Sequence, residues 1–169
     1  VLNAVDRSGN ALEHAAAELK RHRTVVLAAV KQDGNALRYA ARVLQNDREV
    51  ALIAVQHDGR ALRYAAEEPK NDREVVLAAV KQNGKALEYE EEELKKDRNV
   101  VLAAVKQHGK ALEYAAEELK NDNQFLLFAV ERRGGVFVTA VKQDGTLLEK
   151  ASEEDKKNHR MVAAAVLQN

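Results

Sequence analysis

From Val75 to Asn99 the chain reads VVLAAVKQNGKALEYEEEELKKDRN, and from Val100 to Gln124 it reads VVLAAVKQHGKALEYAAEELKNDNQ. The two stretches are one 25-residue unit written twice. The same frame returns from Val25 and from Val50 with few changes. Glycine marks it: Gly9, Gly34, Gly59, Gly84, Gly109 and Gly134 follow one another at a constant interval. A fixed period of this length is the signature of a tandem structural repeat, in which each unit buries its apolar face only by stacking on its neighbours.

Each unit predicts two short helices. The first, Arg73 to Gln82, carries Val75, Val76, Leu77, Ala78, Ala79 and Val80, apolar nearly all round, which implies burial on several sides. So short a run does not by itself separate helix from strand, but its boundaries do. Asn71 or Asp72 suits an N-cap, and Asn71 with Glu74 makes a capping-box pattern. Gly84 fits a left-handed position just past the helix end. The second helix, Lys85 to Lys95, turns Ala86, Leu87, Tyr89 and Leu94 one way and Glu88, Glu92 and Lys95 the other. Helices of about three turns, roughly 16 Å, are marginal alone in water. The fold class expected is therefore all-α, an α-solenoid of two-helix units.

Residues 1–134 read as five regular two-helix units plus the first helix of a sixth, and 135–169 as an irregular C-terminal unit with a partial first helix. Val1 to Val5 enters partway through a first helix, and Met161 to Asn169 aligns with another. Neither end has the polar cap of a free-standing array, so a fragment of a longer array is expected. The period breaks between Gly134 and Gly145, where FLLFAVERRG adjoins GVFVTAVKQDG. A helical hairpin is favoured there because the frame resumes at once, although the Val, Phe and Thr content also permits a β-hairpin turning at Gly134-Gly135.

The wording of the units, in Pro69 to Ala86 and Leu94 to Ala115 above all, resembles a family of helical repeats, the domain of unknown function numbered forty-one sixteen. The resemblance covers nearly the whole chain. It implies tandem arrays of the kind found in protists, giant viruses and intracellular bacterial effectors. The family carries no known activity or catalytic residues, so an interaction role is all that it implies. Pro69, the Glu90-Glu91 pair where most units have Ala-Ala, and the short Gly134–Gly145 spacing depart from the pattern.

Composition narrows the function classes. Lys plus Arg is 27 and Asp plus Glu is 27, a net charge of zero, without the basic surplus that phosphate backbones demand. Cysteine is absent, which removes disulfides and thiolate metal sites. No apolar run approaches the roughly 20 residues of a membrane span. His14, His22, His57, His108 and His159 fall at different phases and never at the i, i+4 spacing of a zinc site. No phosphate-binding loop, metalloprotease or serine-nucleophile motif is present. Asp47, Asp72, Asp97 and Asp122 recur once per unit as expected N-caps. Arg48, Arg73 and Arg98 follow them as expected links to neighbouring units. Tyr39, Tyr64, Tyr89 and Tyr114, with His14 in the equivalent place, read as an inter-unit packing ladder rather than a stacking platform for bases or sugars.

The expected protein is thus a non-catalytic protein–protein interaction scaffold or structural linker, soluble and by default cytoplasmic. It is expected to have no cofactor, no metal, no nucleic acid, no small-molecule substrate and no membrane insertion. The alternative is a recruiting arm of a larger enzyme or effector, or a bridging subunit of a large assembly. The candidate surface is a charged ridge, built from positions four and eight after each glycine and placed by their spacing on one face of the second helix. Its pairs are Glu13/Ala17, Arg38/Arg42, Arg63/Glu67, Glu88/Glu92, Glu113/Glu117 and Glu149/Glu153. The ridge turns from basic to acidic, and its expected partner is a protein of opposite polarity.

Overall fold

A computed structural model describes residues 9–122 and Phe125. Counted from its glycine, each unit contains a 3₁₀ helix, a one-turn α-helix and a longer α-helix. In the third unit these are Gly59–Tyr64, Glu67–Asn71 and Arg73–Gln82. No strand occurs among the described residues. The long helices Arg23–Gln32, Arg48–His57, Arg73–Gln82 and Arg98–Gln107 each have 10 residues and stack in chain order. The 3₁₀ helices form a second layer, and Gly34–Tyr39, Gly59–Tyr64 and Gly84–Tyr89 are each wedged between the long helix before and the one after. The array is an all-α repeat solenoid, as the period predicts. The sixth first helix, the 125–141 hairpin and the Glu149/Glu153 pair lie outside the described residues.

The long helices form where the sequence places them. Asp47, Asp72 and Asp97 are N-caps: Asp72 accepts from the amides of Glu74 and Val75 at 2.9 and 3.1 Å. Asp122 likewise accepts from Phe125 N at 3.0 Å. The Asn71–Glu74 capping box does not form, because Asn71 is the last residue of the preceding short helix. Val75, Val76, Ala79 and Val80 are fully buried, and so are their counterparts in the other units to within a few per cent. Facing them, Leu12, Leu37, Leu62, Leu87 and Leu112 of the 3₁₀ helices are all at 0% exposure. Full burial of each such leucine contributes roughly 1.5–3 kcal/mol, which is how helices this short become stable.

The glycine works differently from the expectation. No described glycine has a positive φ. The long helix ends instead on an extended residue such as Asp58 (φ −142°, ψ 112°), whose side chain accepts from Arg60 N at 2.9 Å and launches the 3₁₀ helix at Gly59. What requires glycine is the long helix that follows. A Cβ on Gly34, Gly59 or Gly84 would stand 2.3 Å from the carbonyl oxygen of Ala54, Ala79 or Ala104. Backbone meets backbone there, and no side chain fits between.

The predicted second helix is also two elements, not one. In the fourth unit the 3₁₀ helix Gly84–Tyr89 is followed by extended Glu90 and Glu91 and then by Glu92–Lys95. Elsewhere this break falls at an alanine pair, and its second amide is used between units: Ala41 N donates to Lys20 O at 2.9 Å, Ala66 N to Gln45 O at 3.0 Å and Ala116 N to Lys95 O at 3.1 Å. The cross-unit bond pulls the pair out of the helix that alanine's propensity favours.

Pro69 does not shorten its helix. Glu67–Asn71 is one residue longer than its four-residue counterparts. Proline sits in the first turn, where its fixed φ is compatible with helix, and the adjustment is confined to the entry residue Ala66 (ψ −174° against 148° at Ala41 and Ala116). It does forfeit the amide bond that Leu44 N makes to Ala41 O at 2.8 Å. Pro69→Leu restores that bond and fills out the buried site. It also gives up proline's restriction of the unfolded chain. The net expected gain is about 0.5–1 kcal/mol by denaturant unfolding; a loss of stability contradicts this reading.

Candidate functional site

Two side-chain ladders run along the array. In the first, an arginine at the start of each long helix reaches the N-cap aspartate of the next. Arg23 Nε donates to Asp47 at 2.9 Å, Arg48 Nε to Asp72 at 2.6 Å and Arg73 Nε to Asp97 at 2.6 Å, and Arg98 pairs with Asp122. Arg23 and Arg48 also hold Glu49 and Glu74. Each aspartate thus caps its own helix and receives the preceding unit. The hydrogen bonds from Arg23 and Arg73 hold the Asp47 and Asp97 carboxyls below the usual range. At Asp72, burial pushes the other way but is outweighed by Arg48 and the two cap amides.

In the second ladder, the residue four after the glycine in each of the first four units meets the next unit's tyrosine. Tyr39 Oη donates to Glu13 Oε2 at 2.6 Å. Arg38 reaches Tyr64, Arg63 reaches Tyr89, and Glu88 faces Tyr114. Arg38 and Arg63 also lie over the rings of their own neighbours, Tyr39 and Tyr64, at 4.4 and 4.6 Å from the centroids. All four tyrosine rings are half-buried. They pack between units, with their hydroxyls paired at the surface.

The structure exposes all eight described ridge residues singled out from the sequence: Arg38, Arg42, Arg63, Glu67, Glu88, Glu92, Glu113 and Glu117. It does not place each pair on one helix face. Arg38, Arg63, Glu88 and Glu113 belong to 3₁₀ helices, whereas Arg42, Glu67, Glu92 and Glu117 open the one-turn helices beyond the extended break. Like charges at positions four and eight are therefore not neighbours on one helix. Glu92 and Glu117 instead pair with Lys95 and Lys120 at 3.7 and 2.5 Å. The change of sign falls at an open groove lined by Arg42, Val43, Asn46, Ala66, Glu67 and Glu68. Val43 is 67% exposed, the large apolar side chain that stands out among the described residues; the first, third, fourth and fifth units have Glu18, Glu68, Glu93 and Glu118 there.

Sequence reading passed over a second charged edge. At the turns between long and 3₁₀ helices, Arg60, Lys81, Lys85, Lys106 and Lys110 are exposed, and no described residue pairs with them as an ion. The signal was present: the pre-glycine residue is Asp33 and Asp58 early in the array but Asn83 and His108 later, so the carboxylates leave this edge.

Among the described residues no group of three or more His, Asp or Glu is placed to hold a metal, and no helix is long and apolar enough to cross a membrane. What the geometry defines is a tandem helical repeat array whose charged side chains link one unit to the next. The chain belongs to the family described as Domain of unknown function (DUF4116), which matches it five times in overlapping succession, at residues 1–45, 22–70, 47–95, 72–120 and 97–139. Each inner match spans nearly two units, the smallest piece that contains a complete inter-unit contact. No curated protein and no solved structure matches the chain.

The arginine ladder is half-exposed (side-chain exposure of 50% for Arg73 and 23% for Asp97), so its ion pairs contribute little and its caps contribute more. Asp97→Ala is expected to cost about 1–2 kcal/mol from the lost cap. The Arg73/Asp97 coupling energy in a double-mutant cycle is expected to stay below about 1 kcal/mol. Because the folded-state pKa values are depressed, this stability is fully present above the ordinary aspartate value of about 3.9 and is lost as pH falls through the folded values. Unfolding curves from pH 4 to pH 2, below the range in which Glu90 titrates, check the sign: a gain of stability on acidification through that window contradicts it.

Proposed function

We propose that this array is a non-catalytic interaction scaffold whose charged ridge docks a protein of opposite polarity. The partner is acidic opposite Arg38, Arg42 and Arg63, and basic opposite Glu88, Glu92, Glu113 and Glu117. The observation that carries the reading is the reversal of ridge charge at the Arg42–Glu67 groove, with Val43 exposed inside it. A ridge serving solubility alone needs no ordered change of sign and no apolar side chain at the boundary. Charge arranged this way fixes the orientation of a partner and speeds encounter more than it tightens binding, while an apolar anchor in a groove supplies a residence time. As a scaffold, the array acts alone or as the recruiting arm of a longer polypeptide; a catalytic domain on the same natural chain would favour the arm.

The test reverses Arg38, Arg42 and Arg63 to Glu, with helix content and cooperative unfolding measured separately because Arg38 and Arg63 also hold tyrosines. Proteins captured from the native source by the folded variant and by the wild type are quantified by mass spectrometry at low and physiological salt. The expected result is at least a tenfold loss of the specific partner, largest at low salt. Equal recovery on the folded variant at both salts eliminates the ridge as the docking surface.

A further inference from the structure

Glu90 and Glu91 follow Pro69 by 21 and 22 residues, but all three departures border one seam, between the short helix Glu67–Asn71 of the third unit and the extended linker of the fourth, where Lys70 faces Glu90. Glu90 stands where Ala40, Ala65 and Ala115 are buried against the core. It is itself only 5% exposed, and neither carboxyl oxygen has a hydrogen-bond partner. Glu91 is exposed where Ala66 and Ala116 are buried. The amide that in the second, third and fifth units crosses to the preceding unit makes no such bond at Glu91. Across the same seam Pro69 lacks an amide hydrogen, and Arg73 holds Asp97 without a second carboxylate, since Asn99 replaces the glutamate of the earlier units.

We propose that this seam is the array's opening point, where the linker Glu90-Glu91 and the short helix Glu92–Lys95 lift off the third unit when the Glu90 carboxyl loses its proton, while the long helices stay stacked. The closed seam has no donor for a carboxylate, and burying an unpaired charge is costly. The charged groups facing Glu90 are Lys70 from the preceding short helix, Lys95 from its own short helix and the adjacent Glu91. Burial dominates: it pushes Glu90 up to about 8, against the pull of the two lysines. Closed, the carboxyl is neutral; open, it reaches water and ionises, with its proton released to solvent. The sign follows from linkage. The closed form is fully favoured below the ordinary glutamate value of about 4.3 and loses that advantage as pH rises towards 8. Glu88 and Glu92 flank the linker, so the same opening separates two charges of the ridge.

Peptide-resolved amide hydrogen exchange on the full chain tests this, with rates corrected for intrinsic exchange. Residues 86–96 are compared with residues 111–121 of the fifth unit, which carry Ala115-Ala116. In the wild type, opening of 86–96 relative to 111–121 is expected to rise on the order of a hundredfold between pH 6 and pH 9. Glu90→Gln, which removes the proton but keeps the size, abolishes the pH-dependent part. Glu90→Ala, the residue of the sister units, abolishes it and slows exchange at both pH values. Parallel changes in the two stretches, or a pH-dependent opening that survives in Glu90→Gln, overturn the proposal.

Discussion

The contact on which the array depends contains no side chain. The glycines of the first four units lie against the carbonyl oxygen of an alanine in the following long helix, so close that a methyl group at Gly59 would stand 2.3 Å from Ala79 O. This approach sets the separation of the units. At that separation Leu37, Leu62 and Leu87 are sealed between two long helices, the arginine that opens one long helix reaches the cap of the next, and Glu13, Arg38, Arg63 and Glu88 reach the following tyrosine. These are consequences of a spacing that backbone contact imposes. Interiors packed to crystal-like density tolerate no slack at such a point. The alanine is fixed for the same reason: Ala29, Ala54, Ala79 and Ala104 are all at 0% exposure.

Much of this was legible in the sequence. The glycine interval gave the repeat, and the Val-Val-Leu-Ala-Ala-Val run with its aspartate gave the long helix to the residue, Arg73 to Gln82. These features are local, and local rules read them. Two of the misreadings share one cause. Glycine just after a helix is ordinarily a left-handed stop, and Ala65-Ala66 ordinarily continues a helix. In both places a contact distant in sequence overrides the local preference, by a close carbonyl of the following long helix at the glycine and by an amide-to-carbonyl bond to the preceding unit at the alanine pair. Neither the carbonyl nor the amide bond has any mark in the residue types of the unit itself. A six-residue 3₁₀ run is longer than such helices usually are, and it recurs because the same tertiary contacts recur.

The surface was legible in charge but not in geometry. Every described ridge residue is exposed, since charged side chains between apolar positions rarely hide. Their grouping was inferred from a continuous helix that does not exist. The broken element also changes what the charges do: Arg38, Arg63 and Glu88 are shared between tyrosine packing and the outer surface, while Glu92 and Glu117 pair with lysines of their own short helices. The exception to exposure is Glu90, an acid that sequence alone would place in solvent and that the alanine site of its unit encloses. A repeat makes such an exception visible, because four sister units show what the position otherwise holds.

The account's central claim is that glycine is required by the neighbouring backbone and not by its own conformation. Its most direct test is the unfolding free energy of Gly59→Ala, measured by denaturant titration against the wild type. Gly59 has a φ that alanine adopts freely, so a purely local role predicts a gain of roughly 0.4–1 kcal/mol from the restricted unfolded chain. The close contact predicts the opposite sign, a loss of about 2 kcal/mol or more as the second and third long helices are forced apart. A neutral or stabilising Gly59→Ala would contradict the account.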